Sequence, residues 1–320
     1  MNSLTMALAV QDKVRSRFRG QRNMLPRVQM YHPINLEREY ERVVSAYMRM
    51  LNKTIAKQLP TVRKAISAST GASWRDDAIE DLFDSFQGNS IEDIISTTFS
   101  CIKATFESQA RTFGLERRLA RLANQTRRIS IAEWRRLVQS ALGINIMEDY
   151  YMGEFFSSML AQWVTTNVGL ITSVPQTCLA ELQNIITRGW QSSLSNRDIS
   201  KKIQQAYDMS KKKAQFWARD QMASLNADMT QQQQADAGVQ EYIWSTSGDE
   251  RVRGNPSGKW PKGDHYQLDG TRHRWDTPPI VDKRTGRRAH PGKDYNCRCV
   301  ALPVFNLPGL SLPWEGGIAA

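Results

Sequence analysis

The stretch VQEYIWST, residues 239–246, marks a change in the repeat of the sequence. Its residues form two alternating sets, Val239, Glu241 and Ile243 against Gln240, Tyr242 and Trp244. A period of two is that of a β-strand, whose side chains point to opposite faces in turn. Gly238, just before it, is the residue type that commonly follows the last turn of a helix. This stretch therefore predicts the first strand of a β-rich region that follows a helix.

The residues before Gly238 predict that helix. In SNRD, residues 195–198, Ser195 can act as the N-cap and Asp198 stands three residues later, which is the arrangement of a capping box. We expect a long helix that runs from this cap to Ala237, with Gly238 as its C-terminal glycine.

Most of the N-terminal half, from about residue 34 to 141, also has a helical pattern. Apolar residues recur at steps of three and four over residues 36–59, which predicts a helix with one buried face. Pro60 is then expected to end or bend this helix. Two further apolar stripes, over residues 79–86 and 91–106, predict two more helices.

Residues 155–171, FFSSMLAQWVTTNVGLI, form the most apolar stretch of the sequence. Because Ser, Gln, Thr and Asn interrupt it, it predicts a buried helix rather than a membrane span. The first 13 residues have neither a basic lead nor a small-residue cleavage pattern. We therefore expect no signal peptide and a soluble chain that is made in the cytoplasm.

The residues that follow Trp244 predict a small, loop-rich antiparallel sheet. Within HYQLDGTRHRW, Asp269-Gly270 is a dipeptide favoured in two-residue hairpin turns, because both positions need positive φ. The stretch NCRCVALPV, residues 296–304, alternates again and predicts another strand. The end of the sequence, NLPGLSLPWEGGIAA, has no regular period and predicts an extended tail.

These patterns together predict an α+β protein with a helical N-terminal domain, a long connecting helix and a small antiparallel β-rich C-terminal domain. The predicted parts, in order, are a basic N-terminal arm (1–30), a helical domain (31–145), a helical region with the long connecting helix (146–238), the β-rich domain (239–305) and the extended tail (306–320).

The charge of the sequence is strongly positive, since 43 Lys and Arg against 32 Asp and Glu give a net charge of +11. Such a chain is attracted to nucleic acid, acidic membranes or acidic protein surfaces. The predicted nucleic-acid contacts are Lys259, Lys262, Arg272, Arg274, Arg284, Arg287, Arg288 and Lys293. Trp260 and Tyr266 are interleaved with them, which suits phosphate contact combined with base stacking. A merely solvated loop surface is the alternative.

Four residues near the end of the β-rich region could bind zinc, namely His265, His290, Cys297 and Cys299, with His273 as a rival for one position. Zinc takes about four nitrogen or sulfur ligands in a tetrahedral arrangement, and a small sheet has little core of its own. The alternative is a pair of buried thiols with hydrogen-bonded histidines. A disulfide between Cys297 and Cys299 is disfavoured because the two residues lie too close along an extended chain.

Three charged residues, Asp249, Arg253 and Asp269, could form a network that fixes the loops, or could be catalytic. The catalytic alternative is a metal-dependent nuclease, in which His265 would act as general base and His290 as a metal ligand. A free-standing DNA-binding protein is a second alternative.

An ordered set of motifs resembles the phage Mu F-like head-morphogenesis family, the minor head proteins of tailed bacteriophages. These motifs are Trp244; Asp249, Val252 and Arg253; His265; Leu268, Asp269 and Gly270; Pro291 and Gly292; and Cys297, Arg298 and Cys299. The resemblance covers roughly residues 165–305. The loop GNPSGKWPKGD, residues 254–264, is longer here than in many members of the family.

The resemblance implies a structural protein of the capsid interior or portal vertex, without catalysis. The partners that it implies are the portal protein, the major capsid or scaffolding protein, and in some members packaged double-stranded DNA, with which the protein can leave during ejection. No membrane partner is implied. We expect the helical half to supply the protein-binding surface, with LPGLSLPW (residues 307–314) as a candidate docking peptide.

Overall fold

The computed structural model describes residues 14, 17–18, 21–69 and 90–312. Three kinds of predicted feature lie outside the described residues: several basic residues of the arm, the apolar stripe over 79–86, and the last eight residues of the tail. The described part is mostly helical and ends in a small antiparallel sheet, so the α+β prediction is confirmed.

Within the described residues, five long helices and one single helical turn make up the helical part. They are α1 (Ile34–Ser69), α2 (Ile91–Phe113), α3 (Leu115–Leu142), α4 (Glu154–Gln191), α5 (Asn196–Asp236) and the turn α6 (His265–Leu268). Short 3-10 turns span Glu148–Met152 and Leu307–Gly309. The strands are β1 (Asn23–Met24), β2 (Glu241–Ser245), β3 (Arg272–Arg274), β4 (Ile280–Asp282), β5 (Arg287–Arg288) and β6 (Val300–Asn306).

The chain divides into two compact units, each built from separate stretches of sequence. Unit 1 comprises the described residues of Met1–Tyr40, Ala120–Val164 and Arg219–Ala320, and unit 2 those of Glu41–Leu119 and Thr165–Ala218. The linear domain boundaries drawn from the sequence stay predictions.

Helix α5 begins and ends as the sequence predicts. The Asp198 backbone N–H donates to Ser195 Oγ at 3.1 Å, which is the N-cap hydrogen bond. At the other end Gly238 has φ +74°, and the N–H groups of Gly238 and Val239 donate to the carbonyls of Ala235 and Gln234 at 2.9 and 2.8 Å. This pair of bonds is the Schellman arrangement, which turns the chain sharply out of the helix.

One helical feature differs from the sequence-based prediction and one agrees with it. Pro60 does not end helix α1, which continues to Ser69. Residues 155–171 lie in helix α4, which buries side chains such as Phe156 and Ile171. Within the described residues no helix combines the length and the apolar character that a membrane crossing needs.

The main sheet has the order β1-β6-β2-β3 and is antiparallel throughout, and β4 and β5 form a separate pair. In β2 the exposure alternates as predicted, and both Tyr242 and Trp244 are fully buried. They stand opposite Pro303 and Ala301 of β6. Strand β2, which its alternation predicts, is therefore an inner strand of the main sheet, between β6 and β3.

The predicted hairpin at Asp269-Gly270 is wrong. Residues 265–268 form the helical turn α6 rather than a strand, because the N–H groups of Gln267 and Leu268 donate to the Asp264 carbonyl at 3.1 and 3.2 Å. Gly270 still takes a positive φ of +73°, and it links this turn to β3. The positive φ expected at Gly270 is therefore confirmed, but Asp269 has φ −55° and the element before it is not a strand.

The core of unit 1 contains side chains from the tail as well as from the helices. Trp134 is buried with its Nε1–H donating to Tyr151 Oη at 2.8 Å, and its ring lies 5.7 Å from that of Phe305. Leu310 and Leu312 belong to the same core. The described part of the candidate docking peptide is therefore packed into this unit and is not an extended, free segment. In unit 2, the core includes the buried side chains Tyr47, Leu51, Ile95, Phe99, Ile102 and Phe106.

Candidate functional site

Three predicted metal-ligand residues come together in unit 1. The helical turn α6 supplies His265, and the loop just before β6 supplies Cys297 and Cys299. His265 Nδ1 lies 3.5 Å from Cys297 Sγ and 3.6 Å from Cys299 Sγ. All three residues are buried, and their ligand atoms lie within 4.8 Å of one another.

The other imidazole nitrogen of His265 faces a carboxylate. His265 Nε2 lies 2.9 Å from Asp294 Oδ2, and the Asp294 side chain is only 1% exposed. Two arginines hold the same carboxylate, with Arg253 Nη2 at 2.7 Å from Oδ2 and Arg287 Nε at 3.0 Å from Oδ1. The Tyr295 backbone N–H also donates to Oδ1, at 2.9 Å. The Asp294 carboxylate therefore binds four groups, the side chains of His265, Arg253 and Arg287 and the backbone N–H of Tyr295.

These contacts change the pKa values of the cluster. Burial lowers the pKa of His265, but the hydrogen bonds to Asp294 and Cys297 outweigh burial and raise it. For Asp294, burial alone would raise the pKa. The hydrogen bond with His265 and the positive charge of Arg253 outweigh burial, so the pKa of Asp294 is lowered.

The two thiols are shifted in opposite directions. A hydrogen bond from Cys299 holds the pKa of Cys297 well below its ordinary value, with His265 assisting and burial opposing. The neighbouring Cys297 sulfur and burial raise the pKa of Cys299. Of the two thiols, Cys297 is therefore the one that loses its proton more readily. Neither thiol is in a disulfide.

His290 and His273 are not part of this cluster. His290 Nδ1 bonds the Tyr242 hydroxyl at 2.9 Å, and its ring packs 4.8 Å from that of Trp275. His273 Nε2 bonds Thr271 Oγ1 at 2.6 Å. Of the four predicted ligands the structure brings three together, whereas His290 contacts Tyr242 and Trp275 outside the cluster.

The predicted charged network of Asp249, Arg253 and Asp269 is also corrected. Arg253 pairs with Asp294. Asp249 Oδ1 accepts from the Arg251 backbone N–H at 2.9 Å, and Asp269 Oδ1 accepts from the Thr246 N–H at 2.7 Å. The two aspartates fix separate turns, and each does so through the backbone.

The remaining motif residues support the cluster by packing. The Trp244 ring stands edge-on to His265 with 5.4 Å between the ring centres. Gly292, which follows Pro291, has φ +79°, and its N–H donates to Cys297 Sγ at 3.4 Å. A Cβ at position 292 would lie 2.8 Å from the Ala227 Cβ on helix α5. Only glycine fits this close approach without a shift.

Arg298, between the two cysteines, binds a residue that the sequence analysis did not single out. Its guanidinium forms a two-point ion pair with Glu37 in helix α1, with Nε at 2.9 Å from Oε2. His32 Nε2 also lies 2.8 Å from Glu37 Oε2, and Glu37 is 2% exposed. No local pattern could reveal this partner, because 261 residues separate Glu37 from Arg298. Asp294 was missed as well, although it lies only three residues before Cys297.

The predicted nucleic-acid contacts are largely neutralised within the chain. Six of the eight lie in ion pairs: Lys259 with Glu250, Arg272 with Glu241, Arg274 with Asp276, Arg284 with Asp282, Arg287 with Asp294, and Lys293 with Asp228. Arg288 donates to the Pro278 carbonyl at 2.9 Å, and Lys262 is exposed. These residues therefore present much less free positive charge than their number suggests.

Comparison with known proteins gives two matches that bear on the site. Residues 180–302 match the family model of phage Mu protein F like protein. A Haemophilus influenzae protein, described only as uncharacterized, is 25% identical over 285 residues, which cover 89% of this chain and 58% of that protein. The chain thus spans less than two thirds of the length of this relative. No solved structure matches the chain. The resemblance that the motif residues predicted is confirmed, since residues 180–302 match the model of phage Mu protein F like protein.

Proposed function

We propose that this chain is a minor head protein of a tailed bacteriophage that acts in head morphogenesis and is carried in the virion. The observation that supports this is the match of residues 180–302 to phage Mu protein F like protein. Three of the motif residues, Trp244, His265 and Cys297, also meet around one buried centre, as expected if they maintain a fold.

The proposed role is structural rather than enzymatic. His265 and Asp294, the titratable residues at the centre of the motif, are 2% and 1% exposed at their side chains, so a polymeric substrate cannot reach them. This burial gives the nuclease alternative no support. The test is incubation of the purified protein with supercoiled plasmid and divalent metal. Cleavage that disappears in His265→Ala would contradict the structural role.

The partner that we propose is the portal protein, with the capsid or scaffolding protein as a second contact. A run of exposed apolar side chains supports a protein-binding surface on unit 1. Met147, Tyr150, Met152 and Phe155, within nine residues of one another, are 37–58% exposed. Large exposed apolar groups this close together are typical of protein contact sites. DNA contact is not part of the proposal, because six of the eight predicted basic contacts are already paired.

The test of portal association is co-purification with the assembled portal of the same phage. Retention of the wild-type chain is expected, and the double variant Tyr150→Ser/Phe155→Ser is expected to lose most of it. Trp260→Ser is the matched control, because Trp260 is equally exposed but lies in another loop. Failure of the wild-type chain to bind assembled portal would contradict portal association, and equal loss in the control would contradict the proposed surface.

A further inference from the structure

The cluster of His265, Cys297 and Cys299 has the geometry of a metal site. Three potential ligand atoms, one nitrogen and two sulfurs, converge in a buried space in unit 1. Buried groups of this kind need strong partners, since a thiolate or imidazole that is removed from water loses its solvation. The question is therefore whether the three atoms satisfy one another or hold an ion between them.

The distances match those of a tetrahedral zinc ion. With zinc–nitrogen bonds of about 2.0–2.1 Å and zinc–sulfur bonds of about 2.3 Å, neighbouring nitrogen and sulfur ligands of a tetrahedron stand about 3.6 Å apart. The two nitrogen–sulfur distances here are 3.5 and 3.6 Å. A direct contact between thiol and imidazole would not require both sulfurs to lie at the same distance from one nitrogen.

The orientation of His265 is also that of a metal ligand. Its Nε2–H can donate to Asp294 Oδ2 at 2.9 Å, which leaves the Nδ1 lone pair directed at the two sulfurs. A histidine that binds zinc almost always donates its other N–H to a carboxylate, a carbonyl or water. Arg253 and Arg287 in turn fix the position of the Asp294 carboxylate. The imidazole is therefore held in place before any metal arrives.

The loop around the cysteines supports the same conclusion. The Gly292 N–H donates to Cys297 Sγ at 3.4 Å, and such a bond stabilises a thiolate. Asn296, just before Cys297, has a positive φ of +48°, which turns the chain so that Cys297 and Cys299 both face His265. The local apolar cluster is small and consists of Tyr242, Trp244, Val281, Cys297, Cys299 and Ala301. A bound ion would strengthen a core of this size.

We propose that His265 Nδ1, Cys297 Sγ and Cys299 Sγ bind one Zn²⁺ ion, with a water molecule as the fourth ligand. Two thiolates and one imidazole form a soft ligand set that selects zinc over calcium, magnesium or manganese. A water ligand is otherwise typical of catalytic zinc, but the burial of all three protein ligands keeps a polymeric substrate away from the ion, so its role here is structural. It joins helical turn α6 to the start of strand β6.

The first test is the zinc content of the untagged, full-length protein, purified without chelator under reducing conditions and measured by inductively coupled plasma mass spectrometry. About one zinc per chain is expected for the wild type, and less than about a tenth for His265→Ala and Cys297→Ser. Two controls remove the same side-chain types outside the cluster. His290→Gln and Cys178→Ser are expected to keep the full zinc content, and loss in these controls as well would mark an adventitious ion.

The second test does not depend on variants that fold. Cobalt-substituted wild-type protein is expected to show sulfur-to-cobalt charge transfer and the visible bands of a tetrahedral ion. X-ray absorption of the zinc form is expected to give two sulfur neighbours at about 2.3 Å and two lighter ones at about 2.0–2.1 Å. Asp294→Asn is expected to keep the site but to weaken zinc binding about 10–100-fold.

A folded wild-type protein that contains no zinc and takes up neither zinc nor cobalt would overturn the proposal, leaving a hydrogen-bonded dithiol. A site with one sulfur or none would overturn it too. All these measurements use the isolated chain, so their outcome is independent of whether the protein is found in virions.

Discussion

The ion pair between Glu37 and Arg298 gives the most quantitative prediction. Glu37 is 2% exposed and accepts hydrogen bonds from the Arg298 guanidinium and from His32. The variant Glu37→Gln keeps the shape of the side chain but removes its charge. It therefore leaves a largely buried arginine without its counter-ion, which is costly in a protein interior.

The size of the effect follows from the pKa of Glu37. Burial raises this pKa, but the bonds and charges of His32 and Arg298 outweigh burial and lower it from 4.5 to about 2. At about 1.4 kcal/mol per pH unit, a decrease of this size corresponds to at most about 3.5 kcal/mol of stability. Because the pKa is lower in the folded chain, this stability is present in full above about pH 4.5 and is lost as the pH falls toward 2.

The assay is urea unfolding at pH 6, 4.5 and 3, followed by circular dichroism. At pH 6 we expect Glu37→Gln to be about 2–3 kcal/mol less stable than the wild type, and we expect the difference to shrink steadily as the pH falls. Glu39→Gln, two residues along the same helix, removes the same charge and is expected to keep the wild-type pH profile. A Glu37→Gln protein with the wild-type slope between pH 6 and 3 would refute the reasoning.

Three further changes test the fold. Gly292→Ala should lower stability by at least about 1 kcal/mol, because it places a Cβ at positive φ and 2.8 Å from the Ala227 Cβ; an unchanged Tm would contradict the close approach. Trp134→Phe should cost about 2 kcal/mol in urea unfolding, because it removes the 2.8 Å bond to the buried Tyr151 hydroxyl, and a loss below about 0.5 kcal/mol would show that the bond contributes little. Ser195→Ala should cost about 1 kcal/mol through the lost cap of helix α5, whereas Ser195→Asp should retain most of the stability; equal losses would contradict the capping role.

Local patterns predicted much of the fold. The cap at Ser195, the glycine at the end of helix α5 and the alternation that buries Tyr242 and Trp244 each depend on residues within a few positions of one another. The hairpin at Asp269-Gly270 was predicted wrongly, because that dipeptide shows a need for positive φ but not which element precedes it. The hydrogen bonds to the Asp264 carbonyl form a helical turn there instead.

The site could be predicted only in part, because its geometry depends on contacts between distant residues. Residue type alone put His265 and His290 in one candidate set, but the Tyr242 hydroxyl and the Trp275 ring engage His290 elsewhere. Glu37 carries no local sign that it binds Arg298. Charge counting has the same limit. The count of basic residues in the β-rich part is correct, but the acidic partners of six of them appear only in three dimensions.

The central claim, a structural role in the phage head, is tested most directly by quantitative mass spectrometry of purified particles. We expect the chain in intact virions at a low, fixed ratio to the portal protein, and in heads that contain no DNA at the same ratio. Particles from a phage that lacks the gene provide the background control. Absence of the chain from both kinds of particle would contradict the account.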